Sequence, residues 1–407
     1  MKTGLDDILV GTQLFGPEMH EDPYPVYREL REREPVYWDE ALEAWILTAY
    51  DDVVWALTAL SSDRVAGTRG RFQDPAWQSL CDVLAKLMLQ RDAPDHQRLR
   101  SLIQKTFLRT SVERWSVAIE RRIQSLLQAG LENGQMDFMW DFAVPLPVLV
   151  ISEIVGIPAA DQARVKQWCD DFALVATNFY AHITAEQVQR GWRSTEAFRT
   201  YLQAQIEEMR RAPRDDLLSA LVQAEAEGTR LTLDELLANV ILLLNAGNET
   251  TTNLLGNGLV ALLRHPDQLQ RLQHDPSLIP NAIEELLRYD SPVQFMGRIA
   301  TTEVACGGQR IRRGDLVLPV LGAANRDPAH FPDPDRLDVT RQVSHHVAFG
   351  HGHHYCVGAP LARLEGRLAF GALLTTCQTL ELATTDLYHH ENFNLRGYRT
   401  LPIRLSA

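Results

Sequence analysis

Between Thr232 and Leu263 the chain carries its most apolar helical pattern. It opens with Thr232 and Glu235, a capping box, and closes before His265-Pro266. The spacing predicts one helix of about 30 residues, roughly 45 Å long and able to cross a whole domain. Its middle breaks the pattern. Asn245-Ala246-Gly247-Asn248-Glu249-Thr250-Thr251-Thr252 sets a glycine, a carboxylate and three hydroxyls inside an apolar helix. Buried polar groups are costly unless paired, so function is expected at this point.

The rest of the chain reads as helix with a little strand. Asp22-Pro23-Tyr24-Pro25 sets an extended start before a short helix, Val26 to Arg33. Val36 to Trp38 and Trp45 to Thr48 are β-rich and read as a hairpin. A long loop follows from Ser61 to Asp74, and loops of that length are often functional. From Thr110 to Gly228 the period is helical, broken at Pro145-Leu146-Pro147 and Gly156-Ile157-Pro158. Two short β-like runs lie between Thr302 and Val320, and a last helix runs from about Leu361 to Thr376.

Composition narrows the function classes. The chain is 407 residues long and 45% hydrophobic, which suits a large folded core rather than disorder. A net charge of -13 argues against nucleic-acid binding, which needs a basic stripe. Five scattered cysteines fit a reducing compartment better than a disulfide framework. Neither a signal peptide nor a membrane span is legible, so a cytoplasmic protein with no membrane partner is expected.

Phe349-Gly350-His351-Gly352-His353-His354-Tyr355-Cys356-Val357-Gly358 places one cysteine in a glycine-rich turn before a helix. Backbone N–H groups and the helix dipole stabilise a thiolate there, and a thiolate binds metal. Gly350, Gly352 and Gly358 allow close backbone approach to a flat cofactor. A zinc site is the rival reading, because His345, His346, His351, His353 and His354 crowd the same stretch. The spacing supplies no second ligand pair for it.

The Phe-Gly-x-Gly-x-His-x-Cys-x-Gly spacing, with Leu361-Ala362-Arg363 behind it, resembles the haem-binding loop of the cytochrome P450 superfamily. Ala246-Gly247-Asn248-Glu249-Thr250-Thr251 is similar to that family's oxygen-binding groove. Glu285-Leu286-Leu287-Arg288 and Phe331 to Arg336 match its Glu-x-x-Arg segment and the arginine that follows it. The resemblance implies a mainly α fold with small β-sheets, in which haem lies between a long central helix and the cysteine-loop helix. It also implies a single catalytic domain over 1–407, of the soluble bacterial type.

By the same resemblance Cys356 is the axial ligand to the iron of haem b, and Phe349, Gly350 and Gly358 shape its loop. His96, Arg100, Arg298 and His354 meet the propionates, and small Ala246 and Gly247 leave room above the iron. Glu249 relays protons and Thr250 hydrogen-bonds the bound dioxygen. Glu285, Arg288 and Arg336 form a structural triad. Phe172, Val175, Phe179, Leu243, Val293, Phe295, Met296 and Phe393 line the substrate pocket.

The implied activity is hydroxylation or epoxidation, with O2, of an apolar or amphipathic small molecule in bacterial secondary metabolism. Oxidative coupling, desaturation, nitration and a non-catalytic haem sensor or carrier are the alternatives. With no flavin or iron–sulfur pattern of its own, the chain is expected to draw electrons from a ferredoxin and its reductase. Lys105, Arg109 and Arg363 are the cations expected to steer that donor.

Overall fold

The computed structural model describes residues 19–65, 73–176, 183–226, 231–343, 345–390, 392 and 394–407. Helices of nine or more residues are labelled in chain order. The first five are α1 (Tyr24–Arg33), α2 (Tyr50–Ala59), α3 (Pro75–Leu84), α4 (Asp95–Ile103) and α5 (Ser116–Asn133). There follow α6 (Pro145–Val155), α7 (Gln162–Ala176), α8 (Ala185–Arg211), α9 (Leu217–Ala226) and α10 (Leu233–Ala246). The last four are α11 (Glu249–Arg264), α12 (Pro266–His274), α13 (Ile279–Tyr289) and α14 (Ala359–Thr376).

The chain packs as two compact units, one of residues 1–60, 115–146 and 250–407, the other of residues 61–114 and 147–249. The first unit holds every strand of the described residues. β1 (Val36–Asp39) and β2 (Ala44–Leu47) form the expected hairpin, with Val36 opposite Leu47. β3 (Gln135–Asp137), β4 (Arg298–Ile299), β5 (Val304–Cys306), β6 (Gln309–Ile311), β7 (Leu316–Pro319), β8 (Thr379–Leu382) and β9 (Pro402–Ser406) complete the set. The sheets run β1-β2-β7-β4, β3-β9-β8 and β5-β6, with β2 and β7 parallel. Leu47, Val53, Ala56, Val317, Leu321 and Val347 build the core between the first sheet and α2.

Three helices of this unit pack in register. A Cβ on Gly366 of α14 would meet Ile283 of α13 at 3.2 Å and Leu254 of α11 at 3.4 Å. One turn on, a Cβ on Gly258 of α11 would meet Phe370 of α14 at 2.9 Å and Leu286 of α13 at 3.1 Å. Residues 254, 283 and 366 thus form one layer and 258, 286 and 370 the next, so the three helices run parallel. Extrapolated one turn back, the register sets Thr250 level with Ala362, at the end of α14 that joins the cysteine loop.

Below these layers Arg288 and Glu285 of α13 pair in two places, at 2.7 and 2.8 Å, with neither side chain exposed. Arg288 also donates to the carbonyls of Asn325 and Pro334 at 2.9 Å each. The second cation on Glu285 is Arg341, whose Nε donates to it at 3.2 Å. Arg336, expected in that role, has an exposed side chain and offers Arg288 only its backbone carbonyl, at 3.4 Å. The turn at Asp338, whose N–H also donates to Glu285, aims the later arginine inward.

The second unit is helical throughout its described residues. α7 and α8 run antiparallel, with Val175 against Gly191, Ser194 donating to Asp171 at 2.6 Å, and Trp168 against Phe198. The expected capping box of Thr232 and Glu235 starts α10. Glu235 also takes Arg98 of α4 at 2.6 Å, and Asn239 one turn later accepts from the N–H of Met88 and donates to the carbonyl of Lys86. The first bond ties α4 to α10, and the Asn239 bonds tie the segment at Lys86 and Met88 to it.

The single helix expected from Thr232 to Leu263 is two helices. α10 ends at Ala246, Gly247 caps it, and α11 starts at Glu249. The polar run read as an anomaly is therefore the break itself, where Asn248 donates its N–H to the Asn245 carbonyl at 3.3 Å. Pro145 starts α6 rather than interrupting a helix, and proline suits a first turn because its missing N–H is not needed there.

Because the Arg288–Glu285 pair is fully buried, removing Arg288 leaves Glu285 with Arg341 as its one remaining cation and takes a donor from the Asn325 and Pro334 carbonyls. Arg288→Met should cost about 3–5 kcal/mol in urea denaturation. A loss below about 1 kcal/mol, the range of exposed pairs, would show that this pair does not anchor α13.

Candidate active site

Cys356 is the exposed member of the five cysteines; Cys81, Cys169, Cys306 and Cys377 are buried. Burial pushes up the thiols of Cys169 and Cys377, and that of Cys306 to about 12. Those three are poor sources of thiolate. The Cys356 loop is a tight turn: the N–H of Cys356 donates to the Phe349 carbonyl at 2.9 Å, and Gly350 and Gly352 hold φ of 73° and 71°. A Cβ on Gly358 would sit 3.8 Å from the Cys356 sulfur, so glycine keeps that side of the sulfur open. α14 begins at the next residue, Ala359. His354 closes a short 3-10 turn, Gly352–His354, and is half-buried.

The crowding histidines have other tasks. His345 stacks on Phe331 with ring centroids 4.9 Å apart, and His346 hydrogen-bonds Glu284 at 3.0 Å. Among the described residues no group of three or more His, Cys, Asp or Glu side chains is gathered as a metal ion would require. A thiolate-held haem fits the donor that is present, one exposed sulfur in a glycine-bounded turn before a helix.

Around the helix break, Ala246 is exposed although residues 236–244 before it are buried. Gly247 is used differently from the expectation: a Cβ there would meet Ile151 and the Leu243 carbonyl, both at 3.1 Å. Its missing side chain serves helix packing. Burial pushes the Glu249 carboxyl up to about 7, with Asp170 adding to the effect and Lys166 opposing it. A carboxyl that titrates near neutrality can both take and release a proton, as a relay needs. Thr250 lies in the first turn of α11 and is half-buried, while Thr252 donates to the Ala143 carbonyl at 3.0 Å. Asn248 is buried.

In the second unit His96 is buried and Arg100 half-buried, so the pair is not a solvated basic face. Arg98, two residues from each, turns the opposite face of α4 to Glu235. Phe172 and Val175 are buried in α7, and Val175 is taken up by Gly191 of α8. Leu243 is buried in α10. In the first unit Arg298 is buried on β4, where it donates to the Gly297 carbonyl at 2.9 Å. Val293 and Met296 are partly buried against the core around α2, and Phe295 is buried. Val293 forms an isolated antiparallel bridge with Leu395, and Phe295 one with Val320. Phe179 and Phe393 lie outside the described residues.

Arg363 is not the free cation expected. It forks onto Glu284 at 2.7 and 2.8 Å, whereas Lys105 and Arg109 are exposed. The sequence reading missed Glu284, Arg341 and Tyr355, and also the buried Glu365, whose carboxyl burial raises to about 8. Only the charge of Glu365 in an apolar helix stretch could have flagged it.

Comparison with known proteins shows the family. The family model described as Cytochrome P450 matches residues 162–395. Cytochrome P450 107B1 of Saccharopolyspora erythraea is 40% identical, over 100% of both chains. The polyketide biosynthesis cytochrome P450 PksS of Bacillus subtilis is 38% identical, over 96% of this chain and 98% of its own. The crystal structure of P450BioI in complex with hexadec-9Z-enoic acid ligated acyl carrier protein superposes with a TM-score of 0.89 at 33% identity. That match covers 96% of this chain and 100% of the other. The chain belongs to the cytochrome P450 family of monooxygenases, and haem iron is the cofactor that membership brings. Among the described residues no helix is long and apolar enough to cross a membrane.

Glu249 gives a pH signature. Its carboxyl rises from the ordinary 4.5 to about 7 on folding, so the folded chain holds the proton more tightly than the unfolded one. Stability is therefore full below pH 4.5 and is lost as pH rises through about 7. Glu249→Gln, neutral throughout, should be more stable than the parent at alkaline pH by up to about 3 kcal/mol and no more stable in acid. Thermal unfolding across that range checks it, and equal curves at every pH would mean that the carboxyl is not desolvated.

Proposed function

We propose that this protein is a haem b-thiolate monooxygenase that hydroxylates or epoxidises an apolar or amphipathic small molecule in bacterial secondary metabolism. It works in the cytoplasm, and ferredoxin and its reductase supply the electrons. One catalytic domain spans residues 1–407. The observation that carries the reading is the parallel register of α11 and α14, which sets Thr250 level with the end of α14 that follows the exposed Cys356.

When bound, the haem iron would supply oxygen activation, which a thiolate ligand promotes by donating electron density. The chain's own residues do the rest. Cys356 would be the ligand, and Gly358 leaves its sulfur accessible. His96, Arg100, Arg298 and His354 would meet the propionates. Glu249, poised near neutrality, hands protons inward from the side of Asp170 and Lys166, and the Thr250 hydroxyl receives them at the break between α10 and α11. Apolar side chains at Leu243, Val293 and Met296 orient a substrate without charge. The printed names of relatives support that class: PksS is assigned to polyketide biosynthesis, and P450BioI was solved with an acyl group on its carrier protein.

The test is the absorption spectrum of the reduced protein under carbon monoxide, for wild type and Cys356→Ser. The expected result is a strongly red-shifted Soret band that the substitution abolishes. A band indifferent to the substitution, or protein that takes up no haem, would overturn the assignment.

A further inference from the structure

Phe349 is held from three sides. The Arg363 guanidinium carbon lies 4.6 Å from its ring centroid, the Tyr355 ring meets it edge-on at 6.2 Å, and the His346 ring lies at 5.8 Å. These three are themselves joined. Arg363 donates from Nε and one Nη to the two carboxylate oxygens of Glu284, and from the other Nη to the Tyr355 hydroxyl at 3.1 Å. His346 accepts the Ala348 N–H at Nδ1, at 3.2 Å. That fixes its proton on Nε2, which donates to Glu284 at 3.0 Å. Meanwhile the Phe349 carbonyl receives the N–H of Cys356.

We propose that Glu284, Arg363, His346 and Tyr355 are positioning residues that clamp the Phe349 ring over the Cys356 loop. The clamp thereby fixes the turn in which the Phe349 carbonyl takes the Cys356 N–H, and with it the place of the sulfur that would hold the haem iron. The inference rests on the haem-thiolate reading above and adds a role for residues that touch neither the sulfur nor substrate. Groups behind a metal ligand control its solvent access and donor strength, and losing one commonly costs 10–100-fold in metal affinity or activity. Arginine is suited to the place because its planar group stacks on the ring while its edge forks onto a carboxylate; lysine can do only part of this.

The test uses haem-loaded wild type, Arg363→Met, Arg363→Lys, Glu284→Gln and Tyr355→Phe. The readouts are the red-shifted share of the reduced carbon monoxide band, the midpoint potential, and the rate of haem transfer to apomyoglobin. A wild type without the red-shifted band would sink the haem-thiolate reading itself. With that band present, Arg363→Met should raise the transfer rate about tenfold, lower the red-shifted share and shift the potential. Arg363→Lys should fall nearer to Met than to wild type, and Glu284→Gln and Tyr355→Phe should show the same changes in smaller measure. These two milder variants decide the matter if Arg363→Met does not fold. Variants that only melt earlier, with band, potential and transfer rate unchanged, would reduce the clamp to packing and overturn the proposal.

Discussion

The close parallel approach of α11, α13 and α14 through Gly258 and Gly366 is the constraint on which the site depends. A side chain at either glycine would enter the space of Phe370 and Leu286, or of Ile283 and Leu254. With both absent the helices interlock in two layers, and the register that aligns the layers also aligns the helix starts. The alcohol of Thr250 and the sulfur of Cys356 belong to segments more than 100 residues apart in sequence, yet one packing contact relates them. α13 completes the layers and at its far end buries the Glu285–Arg288 pair, which holds the loop carrying Asn325, Pro334 and Arg341.

Much of this was legible in the sequence where a local rule suffices. The β-rich runs at Val36 and Trp45 specified a hairpin, Thr232 with Glu235 specified a helix start, and the glycines around Cys356 specified a tight turn. The polar run at Asn245 to Thr252 was correctly singled out, but its consequence was underestimated. Groups that compete for backbone hydrogen bonds did not decorate a continuous helix; they ended one helix and began another.

What was not legible is which side chain a loop turns inward. Arg336 and Arg341 are equivalent as letters, and the turn at Asp338 decides between them. Arg363 read as a surface cation because its partner, Glu284, lies 79 positions earlier and no local spacing connects the two. Gly247 likewise read as room for a ligand, although its bare side faces Ile151. In each case the error came from assigning a residue the part its own segment suggested, when a distant element had claimed it.

The distribution of the sulfurs bears on how the protein matures. Four thiols are buried and one is exposed, and the exposed one stands in the turn where a cofactor would be anchored. Oxidation of thiols follows accessibility and thiolate character, and beyond the sulfenic stage it is not readily reversed. In a chain that has folded but not yet gained its cofactor, oxidants therefore meet first the sulfur that the cofactor needs. Cofactor capture and oxidative damage then compete for a single atom, and the yield of working enzyme is set by their relative rates rather than by how firmly the fold holds together.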